Sequence, residues 1–147
     1  MPRLYYFLKG AFIMSCKSAI YTANTTTQAL VAGNTIALGS VIRRFGCSLS
    51  LNGNGINLRE PGYYDVKASI TAAPTAVGTV TATLFRNGVA VPGATASASV
   101  STANNSVALP ITALVRENCC GNDSTLTLVL SGAAANVTNV ALVVERV

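Results

Sequence analysis

"EPGYYDVKASIT", residues 60–71, carries the clearest structural signal in the chain. Pro61-Gly62 is a turn signal, and after it polar and apolar residues alternate strictly. Side chains in a strand point to opposite faces in turn. Tyr64, Val66, Ala68 and Ile70 therefore share one face, which reads as sandwich core. Tyr63, Asp65, Lys67 and Ser69 share the other, which is polar but holds a tyrosine and an opposite-charge pair.

Working outward, the same period recurs after Lys17 and no helix-length periodic segment interrupts it. Expected strands are Ser18–Ala23, Gln28–Val31, Thr35–Leu38, Ser48–Leu51, Gly55–Leu58, Tyr63–Ala72, Thr79–Arg86, Ala94–Val100, Ser106–Val115, Thr125–Ser131 and Val137–Arg146. Gly-Asn and Pro-Gly turn signals about 8–12 residues apart separate most of them, a spacing that suggests an all-β sandwich or barrel. In "LFRNGVAVPG", residues 84–93, Asn87-Gly88 supplies the positive-φ residues of a tight hairpin. Pro92-Gly93 is expected to end the following strand, because proline donates nothing to a ladder. The last strand alternates Val140, Leu142 and Val144 with Ala141, Val143 and Glu145. Its second face, like that of the first stretch, is too apolar for open solvent and too charged for a core; a subunit interface suits it.

Composition narrows the function. The chain has 147 residues, enough for one domain without a staple, and only 10% are charged against a usual ~25%. Such a surface must be covered by Thr, Ser and Asn or buried against other subunits. Histidine is absent, which removes Ser-His-Asp and Cys-His catalysis, histidine-ligated metals and a histidine pH switch. The five acids, Glu60, Asp65, Glu117, Asp123 and Glu145, each sit near a turn, a strand face or a basic neighbour. An enzyme is not expected, nor a cofactor. The net charge is +5, but the bases are scattered and only Arg43-Arg44 are adjacent, so there is no basic stripe for nucleic acid.

Residues 1–17 read as an N-terminal extension or docking arm, with Met14 as an alternative start. The apolar run from Leu4 to Met14 is broken by Lys9 and is far shorter than the ~20 residues of a membrane span. "IMSC", residues 13–16, fits a lipoprotein cleavage box poorly. The cysteines are Cys16, Cys47, Cys119 and Cys120. No C-x-x-C spacing occurs. Free thiols, disulfides within or between chains, and a thiolate metal site all remain open, whereas a catalytic cysteine would lack a histidine base. The N-x-S/T triplets at Asn24, Asn104, Asn122 and Asn136 read as turn residues.

"PGYYDVKASIT", "FRNGVAVPGA" and the closing "NVALVVERV" together resemble the trimeric jelly rolls of the tumour necrosis factor and complement-head superfamily. The likeness is nearest to its bacterial and phage branch, which includes the globular tip of the collagen-like spore exosporium glycoprotein. "SAIYTANTTTQALVAGNTIALG" resembles that branch's opening, and the likeness spans residues 18–147. It implies a jelly-roll sandwich of about ten antiparallel strands and a tight homotrimer. It places Tyr63, Asp65 and Lys67 on the strand lining the three-fold axis, with Val143 and Glu145 beside them, and allows ion pairs between subunits. The chain lacks a Gly-X-Y stalk. A free-standing jelly roll of this kind is expected to be a phage or prophage virion protein, a capsid decoration or fibre head whose partners are itself and a capsid or other virion protein. A spore or cell-surface module and a carbohydrate- or receptor-binding head are the alternatives. Neither nucleic acid nor a membrane is an expected partner.

Overall fold

The computed structural model describes residues 17–118 and 123–147. Among them are eleven strands and no helix: β1 (Ala19–Asn24), β2 (Gln28–Leu30), β3 (Ser40–Phe45), β4 (Leu49–Asn52), β5 (Gly55–Leu58), β6 (Gly62–Pro74), β7 (Gly78–Arg86), β8 (Val89–Val100), β9 (Val107–Glu117), β10 (Ser124–Gly132) and β11 (Ala135–Arg146). They form two antiparallel sheets. One has the order β9-β6-β11-β1-β3 with β2 also paired to β11, and the other runs β4-β5-β10-β7-β8. Strands distant in sequence lie side by side, as in a jelly roll.

The alternation read from residues 60–71 determines where the core lies. Tyr64, Val66 and Ile70 on β6 are fully buried, as are Val140 and Val144 on β11. They meet Leu126, Leu128 and Leu130 from β10 and Val80, Ala82 and Leu84 from β7, all at 0% exposure, in one continuous cluster. Tyr64 buries its ring and donates its hydroxyl to Glu60 O at 2.6 Å, which satisfies the one polar atom it carries inside. Burial, the largest effect on the Tyr64 phenol, pushes its pKa above the ordinary 10.0.

Three expectations about strands change. Thr35–Leu38 is not a strand: Thr35 makes a single bridge to Val129, and Ile36 N donates to Leu128 O at 2.8 Å. Side chains supply the remaining partners. The Gln28 amide donates to Ala37 O and accepts from Ala37 N, both at 2.9 Å, while Asn24 Nδ2 also reaches Ala37 O. This polar clamp lets Ile36 and Leu38 plug the core without a ladder.

Ser40–Phe45 is a strand that periodicity does not reveal. All six of its residues are exposed, so neither face selects apolar side chains. Pro92-Gly93 does not end β8. The register passes from Phe85↔Ala90 to Thr83↔Thr95, so Leu84 alone stands opposite Val91 to Ala94, and Pro92 sits in a wide bulge on an edge strand. The hairpin before it is as expected: Asn87 and Gly88 have φ of 52° and 79°.

Leu128→Ala should lower stability by about 2–5 kcal/mol in urea unfolding, whereas Val77→Ala, exposed on a turn, should stay within about 0.5 kcal/mol. Tyr64→Phe should cost about 1 kcal/mol at neutral pH through the lost hydrogen bond. The raised phenol pKa stabilises the fold fully below pH 10.0, and this contribution is lost as pH climbs through the higher folded value. The alkaline fall in stability above pH 10 should therefore be shallower in Tyr64→Phe than in the parent, as followed by circular dichroism.

Candidate assembly surfaces

Adjacent strands of the six-stranded sheet bring the five expected surface residues together. Antiparallel register sets Lys67 opposite Val143 and Asp65 opposite Glu145. On the other side of β6, Asp65 faces Leu114 and Tyr63 faces Arg116. On the far side of β11, Val143 faces Tyr21 and Glu145 faces Ala19, which continue to Arg43 and Phe45 on β3. The outer face thus runs in rows, one being Leu114–Asp65–Glu145–Ala19–Phe45 and the next Thr112–Lys67–Val143–Tyr21–Arg43.

Two carboxylates directly opposite each other repel. Lys67 relieves this by reaching both, with Nζ at 3.1 Å from Asp65 Oδ2 and 3.9 Å from Glu145 Oε1. Asp65, first through the hydrogen bond and then through its charge, raises the Lys67 pKa above 10.5. These ion pairs close within one chain and need no second subunit.

Around the triad the face is apolar. Tyr63 is 50% exposed, Leu114 62% and Phe45 62%. The Arg116 guanidinium lies 5.9 Å from the Tyr63 ring centre, a cation–π stack. Ala19, Tyr21, Arg43, Phe45 and Val143 line a shallow apolar hollow of about 70 Å³.

A second feature opens at the lateral edge, between edge strands β8 and β9. A groove of about 400 Å³ is lined by Arg86, Val89, Val91, Pro92, Leu114 and Arg116, among others. Leu114 and Arg116 thus border both the groove and the sheet face. Beside the groove, Glu117 is 5% exposed and accepts from Arg86 at 3.0 Å, from Ser124 N at 3.1 Å and from the Ser124 hydroxyl. This network ties the end of β9 to the start of β10. Among the described residues Arg86 Nε has no hydrogen-bond partner there.

Leu114, Arg116, Tyr21, Arg43 and Phe45 escaped sequence reasoning. Only Leu114 left a signal, a large apolar residue at a position where the alternation of β9 calls for a polar one. Cys16, Cys119 and Cys120 lie outside the described residues, as does nearly all of the expected arm at 1–17. Cys47 is exposed, with Sγ 3.7 Å from Glu60 Oε2. Among the described residues no group of three His, Cys, Asp or Glu side chains is placed to hold a metal ion.

No family model matches the chain, and no curated protein sequence matches it. Its fold is nevertheless shared with solved structures. Murine APRIL superposes with a TM-score of 0.69 at 10% identity, covering 89% of this chain and 99% of that one. The globular domain of zebrafish complement 1qA gives 0.62 at 8% identity, covering 85% and 94%. The vertex protein P5 of phage PRD1 gives 0.61 at 15% identity, covering 90% and 98%. The tumour necrosis factor and complement-head type of jelly roll is therefore the fold of this chain.

Glu117→Ala should destabilise the chain by about 2–3 kcal/mol. That is less than the ~3–5 kcal/mol of a fully buried pair, because the Arg86 side chain keeps 31% of its surface in water. Urea unfolding checks the loss, and Glu117→Gln, which keeps an acceptor for Ser124, should recover part of it.

Proposed function

We propose that the protein is a non-enzymatic structural head that assembles as a homotrimer and serves in a phage or prophage virion, as a capsid decoration or fibre tip. The observation that carries this reading is the pair of unlike surfaces just described. An outer sheet face bears apolar side chains around an internally paired charge cluster, and a lateral groove has an apolar lining and two arginines. A surface and its complement at different places on one chain make a head-to-tail contact, and such contacts close into a ring when the rotation allows. The family resemblance supports three as the number of subunits in that ring.

Tyr63, Asp65, Lys67, Val143 and Glu145 would then lie near the three-fold axis, and the groove at β8 and β9 would meet the neighbour's side of the sheet around Phe45. The bacterial and phage branch is favoured by the shared fold of a phage vertex protein. The same fold in APRIL and complement 1qA is compatible with a receptor-binding head, so virion assembly rests on the chain's own surfaces rather than on the fold.

Native mass spectrometry should give three times the chain mass of 15.0 kDa. Tyr63→Asp and Leu114→Asp should shift the protein to monomer while leaving its far-ultraviolet circular dichroism unchanged. A parent protein that is monomeric at micromolar concentration would sink the trimer. Peptides from this chain should be found in purified virions; finding them only in spore coats would transfer the function to the spore surface.

A further inference from the structure

An edge strand presents unpaired main-chain groups that another chain can complete, and folded proteins usually blunt it. Two devices blunt the other edges of this sandwich. β9 carries Pro110 and β8 carries Pro92 inside its bulge, and neither proline can donate to an added strand. β2 and β4 are short, at three and four residues. β3 has neither device. It holds six residues without a proline, all of them exposed, and among the described residues it pairs only with β1. Its one irregularity is a bulge at Ile42, where the register passes from Tyr21↔Arg43 to Thr22↔Val41.

The strand is also clamped at both ends. Gly39 and Gly46 have φ of 83° and 86°. They bring the chain so close to the two ends of β1 that a Cβ would strike Ala23 O at one end and Ser18 Oγ at the other. Just beyond Gly46, Cys47 N and Ser48 N both donate to Ser18 Oγ, at 3.1 and 3.0 Å. The free edge is therefore set in place before any partner arrives, which lowers the ordering cost of binding.

The charge of the edge selects the partner. Arg43 and Arg44 are consecutive, so their side chains leave opposite faces of the strand. Arg43 stands on the outer face with Tyr21 and Phe45. Arg44 reaches across to the other sheet, where its Nε donates to Leu49 O at 2.7 Å while the residue stays exposed. Among the described residues neither has a carboxylate partner. An added strand thus meets a cation on whichever face it carries an acid, with exposed Val41, Ile42 and Phe45 alongside. Two copies of β3 laid edge to edge would instead crowd the arginines of both. Residues 1–13 of this chain hold Arg3 and Lys9 and no acid, so they too would add repulsion.

We propose that the free edge of β3 is a strand-addition site for an extended segment, acidic and apolar by turns, of another protein. The partner's main chain would supply the ladder and its side chains the match to Arg43, Arg44 and Phe45. The site is the edge of β3 rather than a sheet face, so the inference does not depend on trimer formation.

The test uses the intact protein and, as probe, a capped peptide in which glutamate alternates with valine. Amide exchange followed by NMR should slow at residues 40–45 when the peptide is added, and anisotropy of the labelled peptide gives its affinity. Arg43→Glu should weaken that affinity roughly tenfold and leave the far-ultraviolet circular dichroism unchanged. A lysine–valine peptide should not bind the parent and should gain affinity for Arg43→Glu. Methylating two consecutive central amide nitrogens of the probe removes donors from both of its edges and should abolish binding. Absence of binding would overturn the proposal, as would binding that leaves residues 40–45 unprotected or an affinity indifferent to Arg43→Glu. Free-edge amides of β3 already slow in the protein alone would also overturn it. Loss of that protection on dilution would assign the edge to a second copy, and its loss on deletion of residues 1–13 would assign it to the chain's own N-terminal segment.

Discussion

The two-sided ladder of β6 is the constraint on which the rest depends. Its residues pair with β9 along one edge and with β11 along the other, and both partners come from much later in the chain. A strand so placed cannot shift by one residue, because every side chain would change faces at once. Tyr64, Val66 and Ile70 would be thrown outward, and Asp65 and Lys67 would enter a core that offers no partner for them. The buried Tyr64 reinforces this register by anchoring its hydroxyl on the chain just before β6. Once β6 is fixed, the β11 register is fixed, and with it the alignment of Val143 and Glu145 against β6.

That alignment explains the ion triad. Asp65 and Glu145 cannot avoid each other, so Lys67 is required on the same face two residues along. While the face is in water the three charges contribute little to stability, since solvent screens them. If the face is covered, their meaning changes. A covered carboxylate without a partner is costly, whereas a carboxylate already paired inside its own chain crosses into an interface at much lower cost. Internal pairing therefore suits an assembly surface better than a solvent surface. The triad still carries one unit of excess negative charge, and the face supplies Arg43 and Arg116 around it.

What was legible in the sequence follows from which forces leave a periodic trace. Strands with one buried face, such as β6, β7, β10 and β11, alternate visibly, and ten of the eleven expected strands appear within a few residues of their expected bounds. β3 left no trace because, among the described residues, nothing buries either of its faces. Thr35–Leu38 misled because its apolar residues are buried as they would be in a strand, while the hydrogen bonds come from Gln28 and Asn24 side chains. Pro92-Gly93 misled because a proline stops a ladder only where its nitrogen is needed, and on edge strand β8 it is not. Of the candidate surface, the half on β6 and β11 was readable from its odd second face. Phe45, Tyr21 and Arg43 were not, because their role comes from lying beside β11, which no local pattern encodes.

The opposite sheet presents a different outer face. On its outer face Thr79, Thr81 and Thr83 of β7 meet Ser99, Ser97 and Thr95 of β8 in three cross-strand hydroxyl pairs at 2.7–3.1 Å. Thr125 and Thr127 extend the same chemistry onto β10, and the outward positions of these three strands carry no charged side chain. Hydroxyl pairs satisfy one another and still accept water, so this face stays wetted without ions. The scarcity of charge in the chain therefore has two different origins. One sheet replaces charge with hydroxyls and remains suited to solvent. The other carries a paired triad flanked by Arg43 and Arg116 among exposed Tyr63, Leu114 and Phe45, and remains suited to contact. Under the proposed assembly, two outer faces of one sandwich built to opposite specifications would give the molecule a side to bury and a side to show.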